Sequence, residues 1–320
     1  MLTGLHLHPG QPVAPHDLWT AWNLDPLTLA GMSFLVWLYV RGSRRPKRGW
    51  PRRGWLVTAL VALTVALVSP LEAMSGALAS AHMVQHLLLI LVAAPALVRC
   101  SAGEGMFAGL PTAVRKRLGS TRLALGLTPA RMRLLANPVL IWLLHAGALL
   151  FWHAGGPYQA ALSSTALHYL EHVTFLLTAL WFWQLVLLTR HRSPDWPGIG
   201  LLMVFAMALQ SVGLALLMTF AESPWYPFYE NSAAAWGFTA LADQHLAGVI
   251  MWVPAGFIYT AVGLTRLWRW LTAIERSSSG TIDQAAENLD VSLSHRSSAE
   301  AALNVSPRRP GVDLTELSDR

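Results

Sequence analysis

The chain has 320 residues, 54% of them hydrophobic and only 12% charged, about half the charged share of an average soluble domain, which excludes a soluble globular fold and indicates a polytopic membrane protein. Its formal charge of +6 lies in short connections between apolar runs, where basic residues set topology; nucleic-acid binding is excluded on the same ground. The single cysteine, Cys100, rules out a disulfide framework or a CxxC motif within one chain, so metal or redox chemistry falls to His, Met, Asp and Glu.

In chain order, residues 1–25 lack a basic region leading into an apolar core, so they are expected to form an outer segment and not a cleaved signal peptide. Apolar runs able to cross a hydrocarbon core of about 30 Å follow at 26–40, 55–71, 82–98, 137–152, 168–189, 199–220 and 241–264. The predicted fold is therefore all-α, a bundle of seven transmembrane helices over 26–275. The first run is short for a span, and Arg41 is able to extend it by snorkelling. Residues 276–320 are rich in Ser, Asn, Asp and Glu, with Pro307 and Pro310, and read as a disordered tail.

All 23 Lys and Arg residues fall in the first, third and fifth connections or after the last run. The positive-inside rule then puts the N-terminus outside and the tail in the cytoplasm, and an odd number of spans satisfies the alternation. The third connection contains the basic stretch 111–118, which reads equally as a short helix on an anionic inner leaflet or as a solvated loop.

Placed on this topology, the histidines form a layer. His82 and His86 open the third run, His153 closes the fourth, His168 and His172 open the fifth, and His245 opens the seventh, all at the outer end. His6, His8 and His16 precede the first run on the same side; His145 lies deeper, and His191 and His295 are cytoplasmic. Both pairs have i, i+4 spacing, which presents two imidazoles on one helix face as metal-binding helices require. Glu171 and Asp243 add carboxylates at that level, and Met83, Met218 and Met251 are candidate thioether donors. Imidazole with thioether and no thiolate favours copper over zinc or iron. A lone histidine in a membrane bundle is more often an interhelical hydrogen-bonding group, and methionines are more often packing. Delivery of histidine to one layer by four helices is what distinguishes this chain.

The segments His82-Met-Val-Gln-His86, Phe151-Trp-His153 with Tyr158, Glu171-His172-Val-Thr-Phe-Leu176, and Asp243-Gln244-x-x-Ala-Gly248 with Met251-Trp252 resemble, in order, those of the CtaG family. These are multi-span assembly factors of caa-type cytochrome c oxidases, distinct from the single-span copper chaperone of the same name. The resemblance runs from about Trp55 to Trp270. It implies assembly of a haem–copper oxidase, with copper handling as the mechanism and an oxidase subunit as partner. Pro157 stands four residues after His153, where the family tends to place proline two after, so the turn beyond the fourth helix is expected to differ. The family does not fix His245, which makes Asp243 the better ligand candidate of the two.

The reading that follows is a non-enzymatic metallochaperone in the plasma membrane. It would hold Cu(I) through His82, His86, His153, His168 and His172, with Glu171 and Asp243 orienting ring N–H groups and His145 as an inward relay or a buried contact. A b-type cytochrome is the alternative from another class, but a second haem would want an inner histidine layer, which the sequence lacks. A metal-ion transporter would want ligating groups continuing below His145.

Overall fold

The computed structural model describes residues 13–42, 50–124, 126, 128, 131, 136–188 and 196–304, and among these there are helices and no strands. The helices are α1 (Pro26–Gly42), α2 (Trp50–Leu67), α3 (Pro70–Ser75), α4 (Ala79–Arg99), α5 (Ala102–Gly109) and α6 (Thr112–Ala124), followed by α7 (Pro138–His153), α8 (Gly155–Ser163), α9 (Thr165–Leu188), α10 (Trp196–Thr219) and α11 (Ala240–Asn304). The predicted apolar runs fall on these helices. Their starts follow local chemistry. Asp25 accepts the Thr28 amide at 2.6 Å ahead of Pro26, and that amide holds the Asp25 carboxyl below its ordinary range. Asn137 accepts the Val139 and Leu140 amides ahead of Pro138.

Two predicted spans differ in detail. The run 55–71 is not continuous, because Pro70 has no amide hydrogen and Ser69 caps a new helix by accepting the Leu71 amide. The fourth run ends at His153, and α8 leaves α7 at a bend of 73°. Four helices are long and apolar enough to cross a membrane, Ala79–Arg99, Thr165–Leu188, Gly198–Thr219 and Ala240–Arg276, or five if the bent α7–α8 pair makes one span. The other two predicted spans fall short by length. Helix α1 has 17 residues, about 26 Å at 1.5 Å per residue, and the apolar part of α2 is only Arg53–Leu67.

The chain divides into two compact units, Met1–Leu267 and Trp268–Arg320. In the second, the backbone is helical through Asn304, although composition predicts an irregular tail from residue 276. Ala285, Ala286, Glu287 and Leu289 are strong helix formers, which the polar composition masks. Residues 305–320 lie outside the described residues.

Within the first unit, α4 is the central helix. Its spanning window is 67% buried, against 28–44% for the other three. Directly after His86 it passes through a π-helical stretch, Leu88–Ala93. Pro95 cannot donate to the Ile90 carbonyl five residues back, and the Trp183 indole N–H of α9 does so instead, at 2.7 Å. Gln85 ties the same helix to α2 by donating to the Ala66 carbonyl at 2.7 Å. These anchors fix the rotation of the turn that carries His82 and His86.

Candidate metal centre

His82 and His86 lie one turn apart on α4, with ring Nε2 atoms 2.8 Å from each other. Helix α9 brings Glu171 and His172 against them. One ligand-capable atom from each of His82, His86, Glu171 and His172 lies within 4.8 Å of every other, and all four residues are buried. The Glu171 oxygens stand 3.6 Å from His82 Nε2 and from His86 Nε2, outside hydrogen-bonding reach, and neither oxygen has a partner. His172 Nε2 is also unpartnered. A carboxylate at 0% exposure with two bare oxygens costs several kcal/mol unless a cation meets it. The donor set therefore fits a metal ion.

Two more predicted ligands border this group. The His168 ring lies 4.2 Å from that of His172 and 5.4 Å from that of His82, with an unpartnered Nε2. The His153 ring is 6.1 Å from His86. Its Nδ1 donates to the Leu149 carbonyl at 2.7 Å, which leaves Nε2 as the lone-pair atom, buried and unpartnered. The structure thus brings all five predicted histidines near one another and puts Glu171, which sequence reasoning carries as an additional ligand or an orienting group, among them.

The remaining candidates lie outside this four-residue set. Asp243 accepts the backbone amides of Ala79 at 2.6 Å and Ser80 at 3.2 Å, so it caps α4 and faces no ring nitrogen. A carboxylate there satisfies two of the free N–H groups of the helix start and complements its positive end. Gln244 accepts the Trp225 amide at 2.6 Å, and His245 pairs with the Ala221 carbonyl at 2.8 Å. Gly248 closes the motif because a β-carbon there would strike Thr219 and the Ala215 carbonyl of α10. The Asp-Gln-His-x-Ala-Gly segment therefore anchors α4, α10 and the loop between α10 and α11. Met83, Met218 and Met251 share an apolar cluster with Ala79, Leu214 and Ala215. His145 pairs with Thr178 at 3.0 Å and packs on Phe182, away from the cluster. His16 is exposed beside Asp17; His6, His8 and His191 lie outside the described residues.

Sequence reasoning singles out Tyr158 only as part of a family segment and misses Tyr226 and Tyr229, with which it forms a layer. Tyr229 donates to the Ser75 carbonyl at 2.9 Å and stands 3.4 Å from His82 Nδ1. With its one proton so committed, the hydroxyl faces His82 as an acceptor. This assigns the His82 proton to Nδ1 and leaves the lone pair on Nε2, facing His86 in the cluster. Tyr158 lies 3.2 Å from the Tyr229 oxygen and stacks on Tyr226 at 3.8 Å, and Tyr226 donates to the His153 carbonyl at 2.8 Å. The signal in the sequence is the aromatic stretch Trp225-Tyr-Pro-Phe-Tyr229, which forms a short 3-10 turn over Pro227–Tyr229. Helix α3, which supplies Ser75, also carries Glu72. Burial raises the Glu72 carboxyl above its ordinary range, with the neighbouring His82 acting in the opposite sense.

The family model for the cytochrome c oxidase caa3 assembly factor matches residues 34–273, a span that includes every member of the cluster and all three tyrosines. No curated protein and no solved structure matches the chain.

Proposed function

The chain belongs to the cytochrome c oxidase caa3 assembly factor family, and from that premise we propose that it is a non-enzymatic metallochaperone that holds copper in the His/Glu cluster and passes it to a subunit of a haem–copper oxidase. The observation that carries the reading is the convergence of unpartnered buried donors: His172 Nε2 and both Glu171 oxygens, within reach of His82 and His86. Such a site binds an ion for the reason that it is costly without one. His82, His86 and His172 supply imidazole, Glu171 supplies charge, and His153 and His168 stand one step behind as exchange ligands. The space beside the cluster is a cavity of about 30 Å³, which suits a bare ion and has no room for a porphyrin. Copper is cargo in this reading, and the protein's part is to bind it with few, labile groups and release it.

The cluster sits at the outer face of the plasma membrane in this proposal, on a seven-span chain with its N-terminus outside. The support is the distribution of basic residues, together with α1 and α2 as short crossings. An impermeant thiol reagent in intact cells tests it in a Cys100→Ser background. Cysteine at the exposed Ser163 should react and cysteine at the exposed Ser120 on α6 should not; labelling at Ser120 ends the topology. The metal reading is tested by elemental analysis and absorption spectroscopy of the purified protein. The expected result is copper at about one ion per chain and no Soret band after growth with haem available. A stoichiometric haem spectrum would replace this reading with a cytochrome.

A further inference from the structure

His86 has two ring nitrogens in different circumstances. Its Nε2 faces His82 Nε2 at 2.8 Å, while its Nδ1 is buried and has no partner. The tyrosine layer decides which carries the proton. Tyr229 places the His82 proton on Nδ1, so His82 Nε2 is an acceptor, and the hydrogen bond between the two rings requires His86 Nε2 to donate. A neutral imidazole has one lone pair. In this network that of His86 lies on Nδ1, the nitrogen without a partner.

His86 also lines the cavity of about 30 Å³, with Met83, His153, Met251, Ser211 and Tyr259. His153 brings a second lone pair, its unpartnered Nε2. Met83 and Met251 bring thioether sulfur, and no carboxylate lines the space. These donors differ from the cluster in two respects, softness and charge. Thioether with imidazole selects a soft ion such as Cu(I). Without an anionic side chain, a divalent ion would also meet a desolvation cost roughly four times that of a monovalent one, because the Born term scales with the square of charge.

We infer that Met83, His86, His153 and Met251 form a second metal seat, selective for Cu(I), which shares His86 with the carboxylate-bearing cluster and adjoins it on the side of the cavity. This rests on the copper reading above and specifies the oxidation state and donors of the cargo. Because His86 offers one lone pair at a time, the two seats are alternatives, and one ion per chain occupies one or the other.

The test uses the full-length protein in detergent, loaded anaerobically with Cu(I) in competition with a Cu(I) chelator and separately with Co(II). Copper-edge X-ray absorption of the Cu(I) form should show sulfur scatterers beside nitrogen. Met83→Leu/Met251→Leu keeps side-chain volume; it should lose the sulfur shell and bind Cu(I) about tenfold or more weakly, with Co(II) affinity and spectrum unchanged. Glu171→Gln should show the opposite preference, weakening Co(II) more than it weakens Cu(I). Bound Cu(I) in the wild type with nitrogen and oxygen neighbours alone overturns the second seat, as does a double variant with wild-type Cu(I) affinity. Failure of the wild type to bind either ion would instead defeat the copper reading itself, so the two failures are distinct.

Discussion

The two histidine pairs have the same spacing and are unequally enclosed. On α4, His82 and His86 are 0% and 3% exposed. The Asp243 cap, the Gln85 tether and the Tyr229 contact surround their turn. On α9, His172 is buried and enters the four-residue set, while His168, one turn nearer the helix start, is only partly covered and stays outside it. Spacing of i, i+4 therefore fixes the face on which two rings appear and leaves their depth open. Depth is decided by what packs over the helix start. For α4 that cover is α3 and the tyrosine loop, whereas α9 begins at Thr165, a single turn before His168, directly after α8.

The largest expected effect comes from breaking the enclosed pair. His82→Ala/His86→Ala should abolish metal retention, beyond the roughly 10–100-fold that loss of a group outside the ligand set costs, while His168→Ala should stay within about threefold of wild type in a metal-competition titration. His172→Ala should resemble the α4 double variant. Equal losses at His168 and His172 would mean that the α9 pair acts as a unit and that enclosure is not what selects ligands.

Tyr229→Phe sharpens the same contrast from the other side. It removes the acceptor that orients His82 and leaves the ring's volume in place, so affinity should fall by about tenfold in the same titration. An unchanged affinity would show that the α4 pair needs no help from the loop. A smaller effect on binding is expected at the cap. Asp243→Ala should lower stability by about 1 kcal/mol, read as a reduced Tm in detergent, with metal stoichiometry unaltered. Loss of metal at full stability would return Asp243 to the ligand set.

Much of this architecture is legible in the sequence because hydropathy is additive along a helix. Each apolar run falls largely on helix among the described residues, and the histidine layer follows from where the runs begin and end. What is not legible depends on contacts between elements. Asp243 lies at the level of the histidines and reads as a ligand, but its oxygens are spent on the amides of Ala79 and Ser80, the latter 163 residues away in sequence. Glu171 reads as a supporting group, yet the rotation of α9 set by Trp183 against Ile90 accompanies its placement between two rings. The break at Ser69 and Pro70 is visible as residue types, but an apolar average runs over it. Tyr226 and Tyr229 carry no periodic signal, because they sit in the connection between α10 and α11.

The smallest effect concerns the two glutamates near the paired rings. Glu171 lies inside the cluster, whereas Glu72 on α3 is half-buried at its margin, and burial raises its carboxyl above the ordinary range. A carboxyl whose pKa is higher in the folded than in the unfolded protein favours folding only while protonated. Its contribution is complete below the unfolded value and is lost as pH rises through the folded value. At neutral pH the charged form is therefore a small burden, and Glu72→Gln should relieve it. The metal-free variant should have a slightly higher Tm than wild type at pH 7 to 8, and the difference should narrow as pH falls through the carboxylate range near 4. Metal affinity should not change, because Glu72 lies outside the set formed by His82, His86, Glu171 and His172. A variant that is less stable than wild type at neutral pH would mean that Glu72 acts as a charged partner of His82. In that case the enclosure of the α4 pair would include a second carboxylate.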